Sequence, residues 1–470
     1  ASILNSGDDY GKNTIGSGQN VNIEFVSANP TGPLHAAHAR GAILGDVLAN
    51  LMQFSGYNVT REYYINDAGS QITTLSQSAF IRYREALGEA LEAIPAGLYP
   101  GDYLIEVGQY LADNYGDSLK QLSEDEIIEK IGPIAVDLMM QSIKKDLARL
   151  GIVMDIYSSE NQLVKEGKVA SAIQKLQSDN LIYRGKPEPP KGKLDEDWEP
   201  REQLLFRSKD FGDDVDRPLQ KSDDSWTYFA SDVAYHYDKL ERTDGKLIDV
   251  LGADHSGYVK RMTAAVQAMS GKQDRLQVKQ CGLVSLLDKG KPVKMSKRAG
   301  AFVTLSDVID AVSADVMRFV MLTRRNDQPL EFDYAKVTEK SRENPVFYVQ
   351  YAHARAKSVL RQNQKPFGTP NLSLLTDIFE IRVIKQLSRW PKQVEAATHH
   401  CEPHRIAFYL MELAAVFHGL WNAGRENHDL KFIHDSDDEL THARMLLVET
   451  TAQVLKSGLN LLSITAVEEM

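Results

Sequence analysis

With 470 residues, 43% of them hydrophobic and 25% charged, the chain has the composition of a folded globular protein. It is longer than one hydrophobic core usually supports, so two or three domains are expected. The formal net charge of -11 argues against non-specific coating of nucleic acid, which requires many cations, but it is compatible with a specific RNA partner.

The two cysteines, Cys281 and Cys401, are far apart in sequence, which argues against a CxxC zinc site and a disulfide framework. No apolar run reaches the roughly eighteen residues of a membrane span, and the first residues lack the pattern of a signal peptide. The sequence therefore predicts a cytoplasmic protein with no zinc, no other metal-ligand set and no membrane partner.

The first predicted elements form a strand, a helix and a second strand. Polar and apolar residues alternate over 21–26, which predicts a strand, and the Gly/Pro-rich segment 27–34 predicts a loop. Apolar residues at helical spacing then predict a helix from near His35 to a cap at Gly56. The β-branched and aromatic run 57–65 predicts a second strand. This order is typical of a parallel α/β unit and predicts a doubly wound sheet.

The middle of the chain is predicted to be an insertion followed by a return to the sheet. Residues from about 72 to 180 show mostly helical spacing, so we expect a helical insertion there. The segment 185–202 is dense in Pro, Lys and acidic residues and is predicted to be a loop. Strand-forming residues return at 204–206 and 226–229, which predicts the second half of the sheet.

The last part of the chain is predicted to be helical throughout. From Asn344 onwards, strand signals are few and apolar residues recur at helical spacing. We therefore predict two domains. The first, over residues 1–340, is an α/β domain with a doubly wound parallel (Rossmann-type) sheet, and the second, over residues 341–470, is an all-α helical bundle.

Two histidines, His35 and His38, lie three residues apart at the predicted start of the first helix. Side chains at this spacing share one face of a helix. A helix N-terminus also offers free N–H groups and a partial positive charge to phosphate oxygens. The pair is compatible with a nucleotide-phosphate site, although taken alone it is more typical of surface or capping histidines.

A lysine-rich loop is predicted at about 289–300, after a short apolar run. It contains Lys294, Met295, Ser296 and Lys297 in succession. Such a loop can close over phosphate groups, and taken alone it fits a solvated basic turn.

In this order, His-x-x-His after a strand and a later Lys-Met-Ser-Lys resemble the two signature motifs of class I aminoacyl-tRNA synthetases. Four longer runs are similar to bacterial arginyl-tRNA synthetases, namely VNIEFVSANPTGP (21–33), REYYINDAGSQ (61–71), GADHSGYVKR (252–261) and PVFYVQYAHAR (345–355). The resemblance implies a monomeric enzyme that activates arginine with ATP and Mg²⁺ and then esterifies it onto tRNA-Arg. It also implies that the family's usual N-terminal domain is missing and that the helical bundle binds the anticodon.

The resemblance further implies which residues form the sites. It assigns catalysis to His35, His38, Lys294 and Lys297, and ATP binding to these four together with Pro33, Leu34, Ala37, Met295 and Ser296. A guanidinium needs carboxylates or amides, which in a parallel sheet lie beyond the carboxyl ends of the strands. The implied arginine-binding residues are Glu24, Ser27, Asn29, His38, Tyr228, Asp232, Asp254 and His255. The implied tRNA-binding residues are Tyr348, Tyr351, Arg355 and Met470.

Several alternatives stay open at this point. Asp232 also fits a carboxylate at a helix N-terminus. Glu24 also fits an outward-facing strand residue, and Tyr351 also fits a core position of its helix. The family normally has Gly where this chain has Ala37, and Arg298 replaces a common Ser. An RNA-binding protein that has lost activation is one rival interpretation, and another class I ligase or nucleotidyltransferase is a second.

A basic helix surface is predicted from Arg361, Lys365, Arg382, Lys385, Arg389 and Lys392.

Overall fold

A computed structural model of the chain describes residues 2–90, 94–188, 201–293, 303–339, 344–363, 370–434 and 436–470. Residues 294–300 of the predicted lysine-rich loop lie outside this part of the chain, and they include Lys294, Met295, Ser296 and Lys297.

The strands are β1 Asn20–Glu24, β2 Asn58–Ile65, β3 Ile156–Ser159, β4 Ile182–Gly185, β5 Gln203–Phe206, β6 Arg217–Gln220, β7 Lys246–Gly252, β8 Leu276–Cys281, β9 Val284–Asp288, β10 Lys291–Pro292 and β11 Leu330–Asp333. The helices are α1 Ser2–Ser6, α2 Ala36–Phe54, α3 Ser70–Ala86, α4 Tyr103–Tyr115, α5 Glu124–Arg149, α6 Glu160–Lys165, α7 Lys168–Ser178, α8 Tyr228–Arg242, α9 Ser256–Ser270, α10 Leu305–Val312, α11 Ala314–Met321, α12 Tyr334–Thr338, α13 Pro345–Gln362, α14 Ile378–Ser388, α15 Trp390–His400, α16 His404–Glu426 and α17 Asp438–Leu461.

The main sheet has the strand order β3-β2-β1-β7-β8, and every neighbouring pair is parallel. The strand order reverses at β1, with β2 on one side and β7 on the other, so the carboxyl ends of these strands border a crevice where ligands bind in such sheets. Helix α2 packs on this sheet so closely that a Cβ at Gly45 would overlap the ring of Phe25. The predicted doubly wound parallel sheet is confirmed.

The insertion between β2 and the second half of the domain has its own small core. Helices α3, α4 and α5 enclose Leu75, Tyr83, Leu104 and Ile131. The prediction of mostly helical structure was wrong at β3. This strand pairs with β2 in the main sheet. Its four residues are half-buried and too few to produce a clear alternation, so periodicity could not detect them.

The two later strand predictions met different outcomes. The run 204–206 lies in β5 but belongs to a separate antiparallel sheet of order β4-β5-β6, not to the main sheet. The strand prediction over 226–229 was wrong, because α8 begins at Tyr228. The hydroxyl oxygen of Thr227 accepts a hydrogen bond from the N–H of Ala230 and caps that helix, which outweighs the strand propensity of the aromatic residues.

The C-terminal part is an all-α bundle of α13 to α17, as predicted. Helices α13, α16 and α17 pack against one another around Val349, Leu410, Phe417 and Val448. Among the described residues, α16 is the one helix long and apolar enough to cross a membrane, and 56% of its most apolar window is buried inside the bundle. Burial of this kind is common for the core helix of a folded domain.

The segment before β1 packs on the helical bundle. The indole N–H of Trp390 donates to the carbonyl oxygen of Tyr10 at 2.9 Å, and the Tyr10 hydroxyl donates to the carbonyl oxygen of Leu387 at 3.2 Å. A second link is Arg318, whose guanidinium donates to the carbonyl oxygens of Leu462 and Leu150. The N-terminal and C-terminal parts of the chain therefore share buried polar contacts.

Candidate active site

The end of β1 carries strained backbone next to a buried carboxylate. Val26 and Ser27 have φ values of 70° and 39°, which is uncommon for residues other than glycine and rarest for a β-branched one. This turn lets the Ser27 hydroxyl donate to Glu24 at 2.8 Å and accept from the N–H of Tyr64 at 3.1 Å. The strain therefore fixes the direction of the Glu24 carboxylate at the carboxyl end of the strand.

Four carboxylates from different parts of the α/β domain act on the buried hydroxyl of Tyr64. Glu24 ends β1, Asp67 follows β2, Glu160 begins α6 and Asp232 lies in α8. All four raise the pKa of the Tyr64 hydroxyl in addition to the effect of its burial, which places their charges close to it. We call these four residues the acidic pocket.

The carboxylates of the acidic pocket are not fully compensated by cations of the protein. Burial and the nearby Glu160 and Glu24 raise the pKa of Asp232 well above its ordinary value, and Arg261 offsets only part of the effect. Burial also raises the pKa of Glu160, although the hydroxyls of Ser231 and Tyr64 partly counteract it. A bound cation would relieve this repulsion, so the pocket is suited to a positively charged ligand.

The structure corrects the predicted positions of Tyr228 and Asp232. They do not lie at strand ends but in the first two turns of α8, four residues apart and therefore on one face of the helix. Tyr228 is exposed, and its hydroxyl lies beside Gly69, at the start of α3. Helix α8 thus directs both side chains towards the loop that follows β2.

The other predicted arginine-binding residues do follow strands. Asp254 and His255 form the end of a short 3-10 helix directly after β7, and His255 is exposed. Asn29 lies in the loop after β1, where its amide donates to Gln71 at 2.7 Å. Because β1 and β7 are parallel neighbours, these residues border the same crevice.

Sequence reasoning missed Asp67 and Glu160. Asp67 accepts hydrogen bonds from the hydroxyl of Ser159 at 2.6 Å and the N–H of Asn161 at 2.9 Å, so it is tied to the end of β3. Glu160 is the first residue after that strand. The signal that could have found them is the strand β3 itself, since its recognition would have placed Glu160 at the carboxyl edge of the sheet.

The histidine pair lies at the N-terminus of α2. The rings of His35 and His38 stack with centroids 3.7 Å apart, and Nδ1 of His38 accepts from the N–H of His35 at 3.2 Å. In a neutral ring this leaves the proton on Nε2 of His38. Pro33 and Leu34 are buried and Ala37 is half-buried in the first helical turn.

The described residue just after the lysine-rich loop is tied to this histidine pair. Thr304 forms an antiparallel bridge with His35, and the N–H of Leu305 donates to the carbonyl oxygen of Leu34 at 2.7 Å. The segment that begins at Thr304 therefore lies against the histidine pair, whereas Lys294 and Lys297 themselves lie outside the described residues.

The predicted tRNA-binding residues of α13 form a cluster with α16. The Arg355 guanidinium lies 4.1 Å from the ring centroid of Tyr351 and 4.9 Å from that of Trp421, and it donates to the Tyr351 hydroxyl and to Nδ1 of His418. Tyr348 contacts His418 at a centroid distance of 4.6 Å. We call these five residues the aromatic cluster.

The predicted Met470 is exposed at the end of a tail that docks on α13. Nδ1 of His353 contacts the carbonyl oxygen of Val467 at 2.7 Å, and Lys357 pairs with Glu468 at 3.1 Å. The predicted basic surface is partly neutralised, since Arg361 faces Glu469 at 3.6 Å. Arg389 likewise faces Glu412 at 3.5 Å, and Lys365 lies outside the described residues.

Comparison with known proteins agrees with this geometry. Residues 1–341 match the family described as "tRNA synthetases class I (R), catalytic domain", and residues 349–470 match the "DALR anticodon binding domain". A parallel sheet with a histidine pair at its crevice and this helical bundle thus define a class I aminoacyl-tRNA synthetase, a ligase that uses ATP.

Relatives of the chain indicate which member of this enzyme class it resembles. Proteins named arginine–tRNA ligase from Xanthobacter autotrophicus and Ruegeria pomeroyi are 55% and 54% identical, with 100% of this chain and 82% of each relative covered. A solved structure of a proposed arginyl-tRNA synthetase from Campylobacter jejuni is 31% identical with a TM-score of 0.83, covering 100% of this chain and 98% of that one. The chain belongs to the arginyl-tRNA synthetase family. This membership excludes the small-molecule ligase that the sequence left open.

Proposed function

We propose that the chain converts arginine and ATP to arginyl-adenylate and pyrophosphate, and then esterifies the arginine onto the 3′-terminal ribose of tRNA-Arg. The observation that carries this proposal is the acidic pocket. Glu24 and Glu160 are buried, Asp67 and Asp232 are half-buried, and the raised pKa values of Asp232 and Glu160 show that these charges are incompletely paired within the protein. A guanidinium is a permanently charged planar fork of donors and is the amino-acid side chain best matched to such a set.

The proposed arginine site runs along the carboxyl edge of β1 and β7. Asp232 and Glu160 receive the guanidinium, with the exposed Tyr228 ring covering it. Glu24 and Asn29 hold the α-ammonium and α-carboxylate end, and the Ser27 hydroxyl fixes Glu24. The same site is completed by His38, Asp254 and His255.

In the proposed first step, a carboxylate oxygen of arginine attacks the α-phosphorus of ATP. The bond from this phosphorus to the bridging oxygen breaks, and pyrophosphate leaves. The Nε2–H of His38 and the N-terminus of α2 would donate to phosphate oxygens, since Nδ1 of His38 already accepts from the backbone. Lys294 and Lys297 are proposed to neutralise the departing pyrophosphate, which the link between Thr304 and His35 supports.

Mg²⁺ is proposed to arrive with ATP rather than to reside in the protein. The first turn of α2 contains no acidic residue, so this end of the site offers donors to phosphate rather than the oxygen ligands that Mg²⁺ prefers. Bound to the phosphates, Mg²⁺ would supply neutralisation of their negative charge. Pro33, Leu34, Ala37, Met295 and Ser296 would shape the surrounding nucleotide pocket.

In the proposed second step, a hydroxyl of the terminal ribose attacks the carbonyl carbon of the adenylate. AMP leaves, and the hydroxyl proton is released. The aromatic cluster, through Tyr348, Tyr351 and Arg355, would receive unstacked anticodon bases, for which aromatic and guanidinium planes are the usual platforms. Met470, at the end of the tail that docks on α13, is proposed to contact the tRNA as well. We further propose a monomer that acts in the cytoplasm without a membrane partner.

The experiment that tests this function measures ATP consumption, with and without tRNA, and the charging of tRNA, in each case with arginine, citrulline and lysine. Citrulline has nearly the shape of arginine but no charge, so it isolates the role of the acidic pocket. We expect arginine to be charged onto tRNA and citrulline to fail. Equal charging of citrulline would remove the acidic pocket from recognition, and the absence of any charging would favour an RNA-binding protein that has lost activation.

A further inference from the structure

Lys239 of α8 is a fully buried cation that lies beneath the acidic pocket. Its ammonium pairs with one oxygen of Glu24 and with Asp249 of β7, the latter at 3.0 Å. It also lies 4.4 Å from the ring centroid of Tyr235. Two carboxylates and an aromatic face therefore hold this ammonium, and one of these carboxylates, Glu24, belongs to the proposed arginine site.

The contacts continue from Lys239 to the helical turn that carries Asp232. The second carboxylate oxygen of Asp249 contacts Nε2 of His236 at 2.8 Å, and Nδ1 of the same ring contacts the carbonyl oxygen of Asp232 at 2.8 Å. Both ring nitrogens of His236 thus face acceptors, and the imidazolium form can donate to both. An unbroken polar path connects Glu24 on β1 with Asp232 on α8.

This path is held by charges that have no access to water. Burial alone would lower the pKa of Lys239, but Asp249, Glu24 and Glu62 raise it above the ordinary value for lysine. For Asp249, burial alone would raise the pKa, but Lys239 and His236 bring it below its ordinary range. Because an unpaired buried charge is costly, each partner keeps the others in place.

We propose that Lys239 is a positioning residue for arginine recognition. It holds the Glu24 carboxylate directly and, through Asp249 and His236, holds the turn that carries Asp232, so that the two ends of the arginine site keep a fixed separation. This inference rests on the proposed roles of Glu24 and Asp232 in binding arginine. Without the ammonium, Glu24 loses the partner that orients it opposite Ser27.

The test compares Lys239→Met, which removes the charge but keeps the length, with Lys239→Arg, which keeps the charge. We expect Lys239→Met to raise the KM for arginine by about 100-fold, since small misplacements of binding groups have effects of this order. The KM values for ATP and tRNA should stay near those of the unchanged enzyme. Lys239→Arg should recover part of the loss.

Arg242→Met is the matched control. Arg242 lies one turn further along α8 and pairs with Glu62 and Asp238, outside the acidic pocket. We expect it to lower the melting temperature without moving the KM for arginine. If Lys239→Met behaves in the same way as Arg242→Met, the positioning role is overturned and Lys239 only stabilises the fold.

Two further variants keep the outcomes distinguishable. Glu24→Gln tests the proposed role of Glu24 itself, and an unchanged KM for arginine there would reject that role regardless of Lys239. If Lys239→Met does not fold, Asp249→Asn removes one charged partner while Lys239 stays. A rise in the KM for arginine would then support the positioning role, and an unchanged value would overturn it.

Discussion

The acidic pocket and the aromatic cluster, for which we propose different ligands, have opposite arrangements of charge. In the acidic pocket, buried and half-buried carboxylates outnumber the cations that face them, and burial together with neighbouring carboxylates raises the pKa values of Asp232 and Glu160. In the aromatic cluster, the Arg355 cation lies between two aromatic faces and is held by neutral partners. The first arrangement would be completed by a cation of its proposed ligand, arginine, whereas the second would present a cation and flat rings to its proposed ligand, tRNA.

This difference predicts unequal consequences of mutation. A ligand cation that pairs with a carboxylate lacking a partner in the protein contributes strongly to the binding free energy, because both charges are then shielded from water. Stacking on a partly exposed ring contributes less per contact. The acidic pocket should therefore show the larger effects, and these should concern arginine rather than tRNA.

The largest effect is expected for Asp232→Asn. The substitution keeps the shape but removes the charge that faces the guanidinium, and loss of one partner of a buried charge pair typically costs about 2–5 kcal/mol. We expect kcat/KM for arginine to fall by on the order of 100-fold or more. The control is Asp238→Asn in the same helix, where the carboxylate pairs with Arg242 and Lys168. Equal losses in both variants would contradict the assignment of Asp232.

A smaller effect is expected for Tyr351→Ala. Each base stacked on an aromatic ring contributes about 1–3 kcal/mol, so we expect the KM for tRNA to rise by on the order of tenfold. The KM for arginine, measured at saturating tRNA, should not change. Phe379→Ala is the control, because Phe379 also carries a cation, Arg382, over its ring on a neighbouring helix. A selective change in the KM for arginine would refute the division of roles between the two regions.

The effect of pH on arginine binding should be smaller than the effect of Tyr351→Ala on tRNA binding. Asp232 and Glu160 have raised pKa values in the folded protein, so their contribution to stability is full below the ordinary carboxylate range and is lost as pH rises through the raised values. Arginine should reverse this loss by pairing with the ionised forms. Melting temperatures with and without arginine from pH 5 to 8 should show a shift that grows with pH. A shift that is independent of pH would indicate that these groups do not face the ligand.

The smallest effect is expected for Ala37→Gly, at the position where the family usually has glycine. Removal of a methyl group beside the base should lower the KM for ATP by a few-fold, while the new glycine costs the helix about 0.5–1 kcal/mol. Ala42→Gly in the same helix controls for the second effect. An unchanged KM for ATP would show that the methyl group does not crowd the nucleotide.

The sequence predicted the parts of the site that depend on local pattern. Glu24 and the His35–His38 pair follow from a strand, a loop and a helix that succeed one another along the chain, and they lie where that order predicts. Asp67 and Glu160 depend on the pairing of β2 with β3, which are separated by the whole helical insertion. No local pattern contains that information.

Two further features show how tertiary contacts decide against local signals. The aromatic run at Trp226–Phe229 favours a strand, yet a threonine cap and burial of one helix face make it the start of α8. Lysine is usually exposed, so nothing in the sequence around Lys239 suggests that it is fully buried. Its position becomes understandable only when Glu24 and Asp249 are seen on the neighbouring strands.

The contact between Trp390 and Tyr10 has a consequence for biosynthesis. The ribosome produces the residues around Tyr10 before the helix whose indole binds them, because Trp390 lies 380 residues later in the chain. During translation, residues around Tyr10 must wait without their final partner while the sheet forms. Such long-range contacts slow folding, so we expect the docking of the residues around Tyr10 on α15 to be a late step in the folding of this chain.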